Sequence, residues 1–294
     1  MFYIVDWSWF LFRAYYSIPK ILDKNWNEAW AVFWFFRMIL KLIHDRPDNF
    51  IVVFDPWWKT KRNEEFKEYK QNRPEIEDWF KKQIPVIIDI LKKSSFYVEL
   101  IKWYEADDVI YSLTKSIKIN DNVVIVSSDK DLKQLIDDNV EFLDTKNFVK
   151  VNKQTFFDEY GFNPSSMLLY LSLLWDSSDN IPWVKWIWKK TALEIVRKYW
   201  SFNDLILNID SFPNKIKKLI LDNQELIHKN IALIKLKDPK EFNFKYLKDS
   251  SLIKQIDFDK LKNILVNEYW FKSFDWLITK LKKDINSPMQ LGLF

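Results

Sequence analysis

The sequence has no cysteine and only two histidines, His44 and His228. The absence of cysteine excludes disulfide bonds and thiolate metal sites, and it fits a reducing compartment, so we expect a cytoplasmic location. Two histidines are too few for a histidine-rich zinc centre. No apolar run has the length of a membrane span. The start, Met-Phe-Tyr-Ile-Val-Asp, lacks the basic region and cleavage site of a secretory signal.

Glycine is almost missing, since only 2 of the 294 residues are glycine. Tryptophan, by contrast, occurs 16 times. Average proteins contain about 7% glycine, and the two residue types together make about 6% of this chain. One interpretation is an unusual tryptophan-rich protein. The other, which we favour, is that most of these tryptophans are UGA codons for glycine, since some bacterial lineages decode UGA as glycine and others as tryptophan.

Neither sign of charge is in large excess, because 45 lysines and arginines are offset by 41 acidic residues and leave a net charge of +4. Any nucleic-acid site must therefore come from local basic patches and not from the total charge. The hydrophobic content of 48% supports a full core. The length suits one large domain or two ordinary ones.

Short apolar runs alternate with helical patterns over about the first 150 residues. The runs predict strands over 2–5, 50–54, 97–101 and 123–126, and an edge strand over 140–143. This alternation predicts an α/β fold with a mostly parallel central sheet flanked by helices. After Gly161 the pattern becomes helical, with helices expected over 164–174, 189–198, 202–208, 215–223, 224–237, 258–267 and 272–282. We expect a core over 1–163, a helical region over 164–284 and an extended tail over 285–294.

Three carboxylates, Asp6, Asp55 and Asp129, follow apolar strands. In an open α/β sheet, ligands bind outside the carboxyl ends of the strands, so we expect these acids to converge. One such residue alone would usually be a helix cap. Here six further acids accompany them, which are Glu105, Asp107, Asp108, Asp131, Asp176 and Asp179.

The spacing of these acids also favours a shared site. Glu105 and Asp108 are three apart, on one face of a helix. Asp129 and Asp131 alternate, so an extended backbone would point both the same way. Nine carboxylates packed together would repel one another. With oxygen ligands only, they select Mg²⁺ or Mn²⁺, and two or more such ions suit phosphodiester hydrolysis.

The motifs that contain these acids resemble the bacterial 5′→3′ exonucleases. This family includes the N-terminal nuclease domain of DNA polymerase I and is related to flap endonucleases. The motifs are the Asp6 strand end, Val-Phe-Asp at 53–55, Tyr-Glu-Ala-Asp-Asp at 104–108, Ser-Asp-Lys-Asp-Leu at 128–132 and Asp-Ser-Ser-Asp-Asn at 176–180. The resemblance covers about residues 2–283. It implies a PIN-like nuclease core, a C-terminal helix-hairpin-helix region and metal ligation by all nine acids.

The resemblance also implies what the enzyme does and which basic residues take part. It implies a replication and repair enzyme that hydrolyses DNA, and RNA-primer strands, near a 5′ end. The segment from Lys59 to Arg73, with Lys61, resembles the basic arch near which the 5′ strand passes, although alone it also fits a solvated helix face. Within it, Arg62, Lys70 and Arg73 are candidates for contacts to the reacting phosphates, as is Arg13, and Tyr69 for stacking on a base.

A hairpin over 183–191 is implied to grip the duplex backbone without reading its sequence. Hairpins of this kind also bind K⁺ through backbone carbonyls. Its candidate DNA-binding residues are Trp183, Lys185, Trp186, Trp188, Lys189, Lys190 and Thr191.

The family has glycine at several tryptophan positions of this chain. They are Trp7, Trp103, Trp175, Trp183, Trp186 and Trp188, and commonly Trp30, Trp34 and Trp200. A phosphate-binding hairpin needs positive φ and close approach, which glycine supplies and an indole blocks. Trp200 follows a predicted helix, where a terminating glycine is expected. The sequence as written therefore predicts strained backbone or displaced indoles in the hairpin.

The tail ends in Gln290, Leu291, Gly292, Leu293 and Phe294. This pattern resembles the peptide by which bacterial replication proteins bind the sliding clamp, although a random apolar end would also fit. Its terminal place favours a stand-alone nuclease over the nuclease fragment of a longer DNA polymerase. We also expect a monomer. The sequence disfavours two rival functions: the hairpin argues against a PIN-like ribonuclease, and the complete acid set argues against a non-catalytic DNA-binding module.

Overall fold

The computed structural model describes residues 1–7, 21–56, 58–72, 77–174, 179–182, 184–239, 242–244, 247 and 251–286. Its strands are β1 (Phe2–Asp6), β2 (Asn49–Val53), β3 (Tyr97–Glu99), β4 (Val123–Ser127), β5 (Val140–Asp144) and β6 (Val149–Val151). Its α-helices are α1 (Trp30–Ile43), α2 (Lys61–Glu65), α3 (Asp78–Lys93), α4 (Ala106–Ile117), α5 (Lys153–Tyr160), α6 (Met167–Leu173), α7 (Lys189–Val196), α8 (Phe202–Leu207), α9 (Asn214–Asp222), α10 (Gln224–Ile234), α11 (Phe258–Lys262) and α12 (Phe274–Asn286). Within these ranges, no helix has the length and apolar character needed to cross a membrane.

The six strands form one sheet in the order β3-β2-β1-β4-β5-β6. Parallel pairs join β1 to β2, β2 to β3 and β4 to β5, and β6 runs antiparallel to β5. All five residues of β1, of β2 and of β4 are buried, as in strands that are covered on both faces. The predicted mostly parallel α/β sheet is confirmed.

The prediction that the strand over 140–143 lies at the edge of the sheet is wrong. β6 pairs outside it, with Val151 opposite Phe142 and Val149 opposite Asp144. A tight hairpin makes this possible, because the Phe148 amide donates to the Asp144 carbonyl at 2.8 Å. A strand of only three residues after a short turn is too brief to leave an alternating pattern in the sequence.

The chain forms two compact units. The first consists of Met1–Phe54, Glu75–Leu100 and Asn243–Phe294, and the second of Asp55–Pro74 and Ile101–Phe242. Most of the predicted acidic and basic site residues belong to the second unit.

In the first unit, α1 packs against α3 and α12. Gln83 of α3 accepts a hydrogen bond from the Ala31 amide at 3.0 Å, close to the start of α1. Phe33 makes edge contacts with Phe271 and Phe274 at ring-centre distances of 5.2 and 5.1 Å. This apolar packing forms the core of the first unit.

In the second unit, α6 packs against α10 and α7, and buried aliphatic side chains such as Leu173, Ile195 and Ile227 fill the space. α5, which was not predicted, ends at Gly161 with φ of +72°, a left-handed conformation suited to glycine. The core of this unit holds the loops that carry the candidate site.

Several predicted helices are shorter or less regular than expected. The first turn of the helix over 164–174 is a 3₁₀ turn, Pro164–Ser166, and α11 continues as a π-helix over Asn263–Glu268. The basic segment is helical only over Lys61–Glu65, because Phe66 has an extended backbone and turns follow it. A continuous solvated helix over 59–73 is therefore excluded.

Among the tryptophans that the structure describes, four have a left-handed backbone: Trp26, Trp103, Trp186 and Trp270, with φ of 64°, 74°, 70° and 66°. This conformation costs a residue with a side chain about 1–2 kcal/mol, and glycine adopts it freely. Trp103 and Trp186 are two of the predicted glycine positions. Trp200, where a terminating glycine is expected, has no positive φ, so its backbone gives no support to that prediction.

Two tryptophans with a buried indole nitrogen, Trp7 and Trp34, also fit poorly in their surroundings. Trp7 is 6% exposed and stacks on Phe54 at 4.9 Å, yet its indole N–H has no hydrogen-bond partner. The buried indole N–H of Trp34 also has no hydrogen-bond partner. A buried indole N–H usually finds an acceptor, so both positions favour a smaller residue.

Candidate active site

Arg62, in α2, lies between two predicted metal ligands and is 3% exposed. Its Nη1 donates to Glu105 Oε2 at 2.8 Å, and its Nη2 to Asp108 Oδ1 at 2.7 Å. Nη2 also donates to the Lys235 carbonyl at 3.2 Å. Glu105 is the N-cap residue of α4 and Asp108 lies in its first turn, so the prediction that they share one helix face is confirmed.

Glu105 accepts hydrogen bonds from three further side chains. Lys70 Nζ lies 2.9 Å and the Tyr69 hydroxyl 3.2 Å from Oε2, and the Thr60 hydroxyl lies 3.3 Å from Oε1. Burial raises the pKa of the Glu105 carboxyl, but the charges of Lys70 and Arg62 outweigh burial and lower its pKa to about 2. Glu105 is therefore an anion with two cations in contact.

Tyr69 joins Glu105 to Asp179, another predicted metal ligand. Its hydroxyl lies 3.3 Å from Asp179 Oδ2, and burial raises the pKa of this hydroxyl. The ring is 7% exposed, so it offers no open face to a base in this arrangement, contrary to the stacking role expected for it. Tyr69 instead lies between two carboxylates and donates its single hydroxyl proton to one of them at a time.

The turns after α2 are tied to the segment that carries Asp179. The Lys70 amide donates to the Asp179 carbonyl at 3.2 Å, and Lys70 itself has φ of 57°. The Asn180 amide group donates to the Glu68 carbonyl at 2.8 Å, and Asn72 donates to the Asn180 side chain at 2.9 Å. These bonds place the basic segment beside the acids.

Two other predicted ligands cap helices. Asp55 Oδ1 accepts from the Ala106 amide at 2.9 Å, at the start of α4. Asp129 Oδ1 accepts from the Asp131 amide at 2.9 Å and caps a 3₁₀ helix over Lys130–Leu135. The extended backbone expected at Asp131 is therefore wrong, because this residue lies in that helix. Asp6 is the last residue of β1, in the first unit.

Asp107 lies in the first turn of α4 and is partly exposed, whereas Glu105 and Asp108 are buried. Among the residues that the structure describes, no three acidic or histidine side chains stand close enough together to hold a metal ion. Some predicted site residues lie outside the described residues: Arg13, Arg73, Asp176, Trp175, Trp183, Gln290, Leu291, Leu293 and Phe294. The metal assignment stays a prediction.

Lys61 and Lys59 differ in their surroundings. The Lys61 ammonium contacts the Tyr104 hydroxyl and lies 4.3 Å from the centre of the Tyr104 ring. The Lys61 amide donates to the Trp103 carbonyl at 2.9 Å, which fixes the start of α2 against the loop before α4. Lys59 is exposed.

The predicted hairpin has a buried apolar side and an exposed basic side. Val184 and Ile187 are buried, and the Ile187 amide donates to the Val184 carbonyl at 2.9 Å. Trp186, between them, has a left-handed backbone, and its indole is 58% exposed. The expected strain and displaced indole in the hairpin are confirmed at this residue. The exposed or partly exposed residues around the hairpin and the start of α7 are Lys185, Trp188, Lys189, Lys190 and Thr191.

Asn230, in α10, is a positioning residue that the sequence reasoning missed. It is fully buried, and its Nδ2 donates to the Ser172 carbonyl at 2.9 Å and to the Pro182 carbonyl at 2.7 Å. These acceptors precede and follow the segment with Asp179. The signal was a lone amide within an apolar helical stretch, Leu-Ile-His-Lys-Asn-Ile-Ala-Leu-Ile.

Asp108 is also held by a segment that the sequence did not connect to it. The Lys237 amide donates to Asp108 Oδ1 at 2.7 Å. One residue further, Asp238 accepts from the Ser112 hydroxyl at 2.8 Å and from Lys115 at 2.6 Å. The chain after α10 is therefore bound along α4, and Asp108 has a structural role beside any chemical one.

Comparison with known proteins places these observations in context. The profile of the family described as 5′-3′ exonuclease, N-terminal resolvase-like domain, matches residues 1–161. The chain is 33% identical over 294 residues to a 5′-3′ exonuclease of Aquifex aeolicus, covering 99% of both chains. It is 31% identical to a DNA polymerase I of Caldicellulosiruptor bescii, covering 79% of this chain and 28% of that one.

A similar fold occurs in the flap endonuclease of bacteriophage T5, solved as a pseudo-enzyme–product complex with DNA and metal ions. The TM-score is 0.65 at 20% identity, with 96% of this chain and 99% of the other covered.

Proposed function

This chain belongs to the bacterial 5′-3′ exonuclease family, and we propose from this membership that it hydrolyses DNA phosphodiesters near a 5′ end with divalent metal ions. The observation that supports the site is the cluster in the second unit. There, Glu105, Asp108 and Asp179 meet the basic and phenolic side chains of one segment, residues 62–70. Acids and cations from distant parts of the sequence meet in this cluster.

The nine acids are the proposed holders of Mg²⁺ or Mn²⁺, because an all-oxygen donor set suits these hard cations. The T5 relative of this fold contains metal ions. In the described arrangement, however, Arg62, Tyr69 and Lys70 all contact Oε2 of Glu105, so this oxygen does not fit a metal ion as it stands. We therefore assign the acids as ligands without deriving a chemical step from this arrangement.

Lys70 and Arg62 are the proposed positive charges at the scissile phosphate, with Arg13 and Arg73 as further candidates. Lys70 is the better placed of the two described residues, because its side chain is 16% exposed and Arg62 is buried. An ammonium is a compact charge on a flexible stem and can follow a phosphate. Arg62 would act through the carboxylates that it holds.

The hairpin and the start of α7 are the proposed grip on the duplex backbone. Lys185, Lys189 and Lys190 are exposed there, and the positive end of the helix dipole adds to their field. Contacts of this kind hold phosphates and carry no sequence information. Lys59 would extend the same patch along the 5′ strand, and K⁺ is a proposed ligand of the hairpin carbonyls.

The proposed activity includes both exonucleolytic trimming and flap cutting, on DNA and on RNA primers, in replication and repair. The test uses three 5′-labelled substrates with Mg²⁺: a DNA flap, a recessed duplex and a single-stranded RNA. We expect cleavage of the two duplex substrates and little of the RNA. Preferential cleavage of the RNA would favour the PIN-like ribonuclease instead.

A variant pair tests the acids. Asp107→Ala should abolish cleavage of the flap while DNA binding survives, because Asp107 is a proposed metal ligand. The matched control is Asp158→Ala, on the exposed face of α5, which should cleave at the original rate. Undiminished Mg²⁺-dependent cleavage by Asp107→Ala would contradict the assignment.

The proposed partner of the tail is the bacterial sliding clamp, bound through Gln290, Leu291, Leu293 and Phe294. Deleting residues 290–294 should abolish clamp pull-down and leave cleavage of bare DNA intact. Unchanged clamp binding would refute this proposal. We also propose a monomer in the cytoplasm, and light scattering at the concentration of the cleavage assay would test the monomer.

A further inference from the structure

The second unit contains a cavity of about 230 Å³, which is lined by the start of α7, the start of the 3₁₀ helix over Lys130–Leu135 and one face of α6. Aliphatic side chains of α6 and α10 form much of its wall, among them Leu171 and Ile234. Pockets for drug-sized ligands measure about 300–1,000 Å³, so this cavity suits a smaller body, such as one nucleobase with its sugar.

Two tyrosines give the cavity hydrogen-bond donors that the protein does not use. Tyr170 is 5% exposed, and its hydroxyl has no hydrogen-bond partner among the residues that the structure describes. The Tyr160 hydroxyl accepts from Lys133 Nζ at 3.2 Å, and its own proton has no acceptor in the same part of the chain. A buried tyrosine hydroxyl usually has a partner, so two unused phenol protons at one cavity indicate a ligand that is rich in acceptors.

Both tyrosines are held in place at the cavity wall. Burial raises the pKa of the Tyr170 hydroxyl, and the neighbouring Tyr160 acts in the same direction, so Tyr170 is a neutral donor at pH 7. The Tyr160 ring stacks on Phe156 with ring centres 4.5 Å apart, and the Tyr170 ring lies 5.1 Å from Phe162. Because these donors are fixed before a ligand arrives, ordering them adds little to the entropic cost of binding.

The charged residues at the cavity narrow the class of ligand. Lys130 and Lys189 line it with exposed side chains, and Asp131 lines it with a partly exposed one. The two ammonium groups attract a phosphate, and a flat base can pack against the aliphatic and phenolic walls. The Asp131 carboxylate disfavours a phosphate beside it, but it can accept from the amino group of a base. This combination fits a nucleotide better than a plain anion or an uncharged apolar molecule.

We propose that this cavity binds one nucleotide unit, with the phosphate at Lys130 and Lys189 and the base against the walls that contain Tyr160 and Tyr170. The site extends the proposed function, on which it rests, because that function brings a phosphate backbone to Lys189. The nucleotide could come from two sources that share this chemistry. One is a nucleotide of the bound strand, and the other is a free 5′-monophosphate released by trimming.

The first test measures the binding of deoxyadenosine 5′-monophosphate to the protein in EDTA, by a ligand-observed nuclear magnetic resonance titration. The nucleotide should bind at least about tenfold more tightly than inorganic phosphate or deoxyadenosine, since only the nucleotide uses both the lysines and the walls. Tyr170→Phe removes one hydroxyl and should weaken nucleotide binding about fivefold, because one hydrogen bond is lost. It should not lower the urea midpoint, since no described residue loses a partner.

The matched control is Tyr199→Phe, which makes the same chemical change outside the cavity. The Tyr199 hydroxyl shares a hydrogen bond of 2.6 Å with the Ser211 hydroxyl, just after α7. This variant should keep the nucleotide affinity of the original. A second variant, Leu171→Trp, places an indole in the cavity and should abolish nucleotide binding, with far-ultraviolet circular dichroism as the check on its fold.

Cross-linking separates the two sources of the nucleotide. A flap substrate that carries 5-iodouracil at successive positions of the cleaved strand is irradiated with the protein in EDTA, and the cross-linked peptides are identified by mass spectrometry. A cross-link from one position to the peptide with Tyr160 or Tyr170 would support a nucleotide of the bound strand. Binding of the free nucleotide without such a cross-link would support the released product.

The outcomes also separate this site from the proposed function. Equal nucleotide affinity in the original, Tyr170→Phe and Tyr199→Phe proteins would show that water satisfies the Tyr170 hydroxyl, and it would overturn the site. Absence of both nucleotide binding and cross-links would overturn it too. Either result leaves Mg²⁺-dependent cleavage of the flap untouched, whereas loss of that cleavage in the original protein would contradict the proposed function itself.

Discussion

Two substitutions to glycine should change stability in opposite directions. Trp26 has φ of 64° and is 82% exposed, so replacing it loses little packing. Glycine would remove about 1–2 kcal/mol of left-handed strain and would cost about 0.5–1 kcal/mol through the greater freedom of the unfolded chain. We therefore expect Trp26→Gly to raise the free energy of unfolding by about 0.5–1 kcal/mol.

Trp276 provides the matched control, because it is also exposed, at 68%, but has a helical backbone as the third residue of α12. In a helix, glycine is up to about 0.5 kcal/mol less favourable than tryptophan. The contact of the Trp276 ring with Lys280, at 5.1 Å, is lost as well. Trp276→Gly should therefore lower the free energy of unfolding by about 0.5–1 kcal/mol.

The assay is urea unfolding of the original and both variants, followed by far-ultraviolet circular dichroism. If the free energy of unfolding falls with urea concentration at the same slope in all three proteins, the midpoint concentrations rank their stabilities. The free energies of unfolding of the two variants should differ by about 1–2 kcal/mol and lie on opposite sides of the original value. If Trp26→Gly lowers the midpoint as much as Trp276→Gly does, a left-handed backbone at position 26 does not require glycine. The reasoning about the other left-handed tryptophans would then fail too.

Four further predictions concern composition, charge and anchoring. The intact mass of the protein from its native host should fall below that of the sequence as written, and a mass that matches sixteen tryptophans would end the glycine hypothesis. Arg62→Met should lower the free energy of unfolding by about 3–5 kcal/mol in urea, because two buried carboxylates lose their shared cation, and a loss below about 1 kcal/mol would contradict that pairing. Because the pKa of Glu105 is lowered from 4.5 to about 2, its contribution to stability is present above pH 4.5 and is lost as the pH falls to about 2. Acid unfolding curves of the original and of Glu105→Gln should therefore converge over that window, and a constant gap would refute the shift. Asn230→Ala should cost about 1–3 kcal/mol in thermal unfolding, since the buried Ser172 carbonyl and the partly exposed Pro182 carbonyl lose their donor, and a neutral result would show that water replaces it.

The parallel strands and the shared helix face of Glu105 and Asp108 could be predicted, because both depend on local spacing. Five-residue apolar runs that end in an acid are characteristic of strands buried on both faces. The strand β6 could not be predicted in this way, because three residues are too few to establish a period.

The burial of Arg62 was not predictable from spacing. In the sequence it belongs to a charged stretch, which usually indicates a solvated surface. Its partners lie 43 and 46 residues away, and their pairing depends on how α2 is placed against the start of α4. Tyr69 was misjudged for the same reason, since an aromatic residue among lysines resembles an exposed stacking platform.

The left-handed tryptophans were partly predictable. A backbone suited to glycine could be predicted at Trp103 and Trp186, because the family has glycine at these two positions. Trp26 and Trp270 fall in short loops where no motif marks them, and only the backbone angles identify them.

The two hydrogen bonds of Asn230 also make the local structure depend on a single side-chain atom. The substitution Asn230→Asp would replace Nδ2 by a carboxylate oxygen, facing the carbonyls of Ser172 and Pro182, which now lie 2.9 and 2.7 Å from Nδ2. A donor would become a buried negative charge against two acceptors, and the loop with Asp179 would lose its attachment to α10. The position of Asp179 therefore depends on the nitrogen of one amide in a helix that is distant from it in sequence.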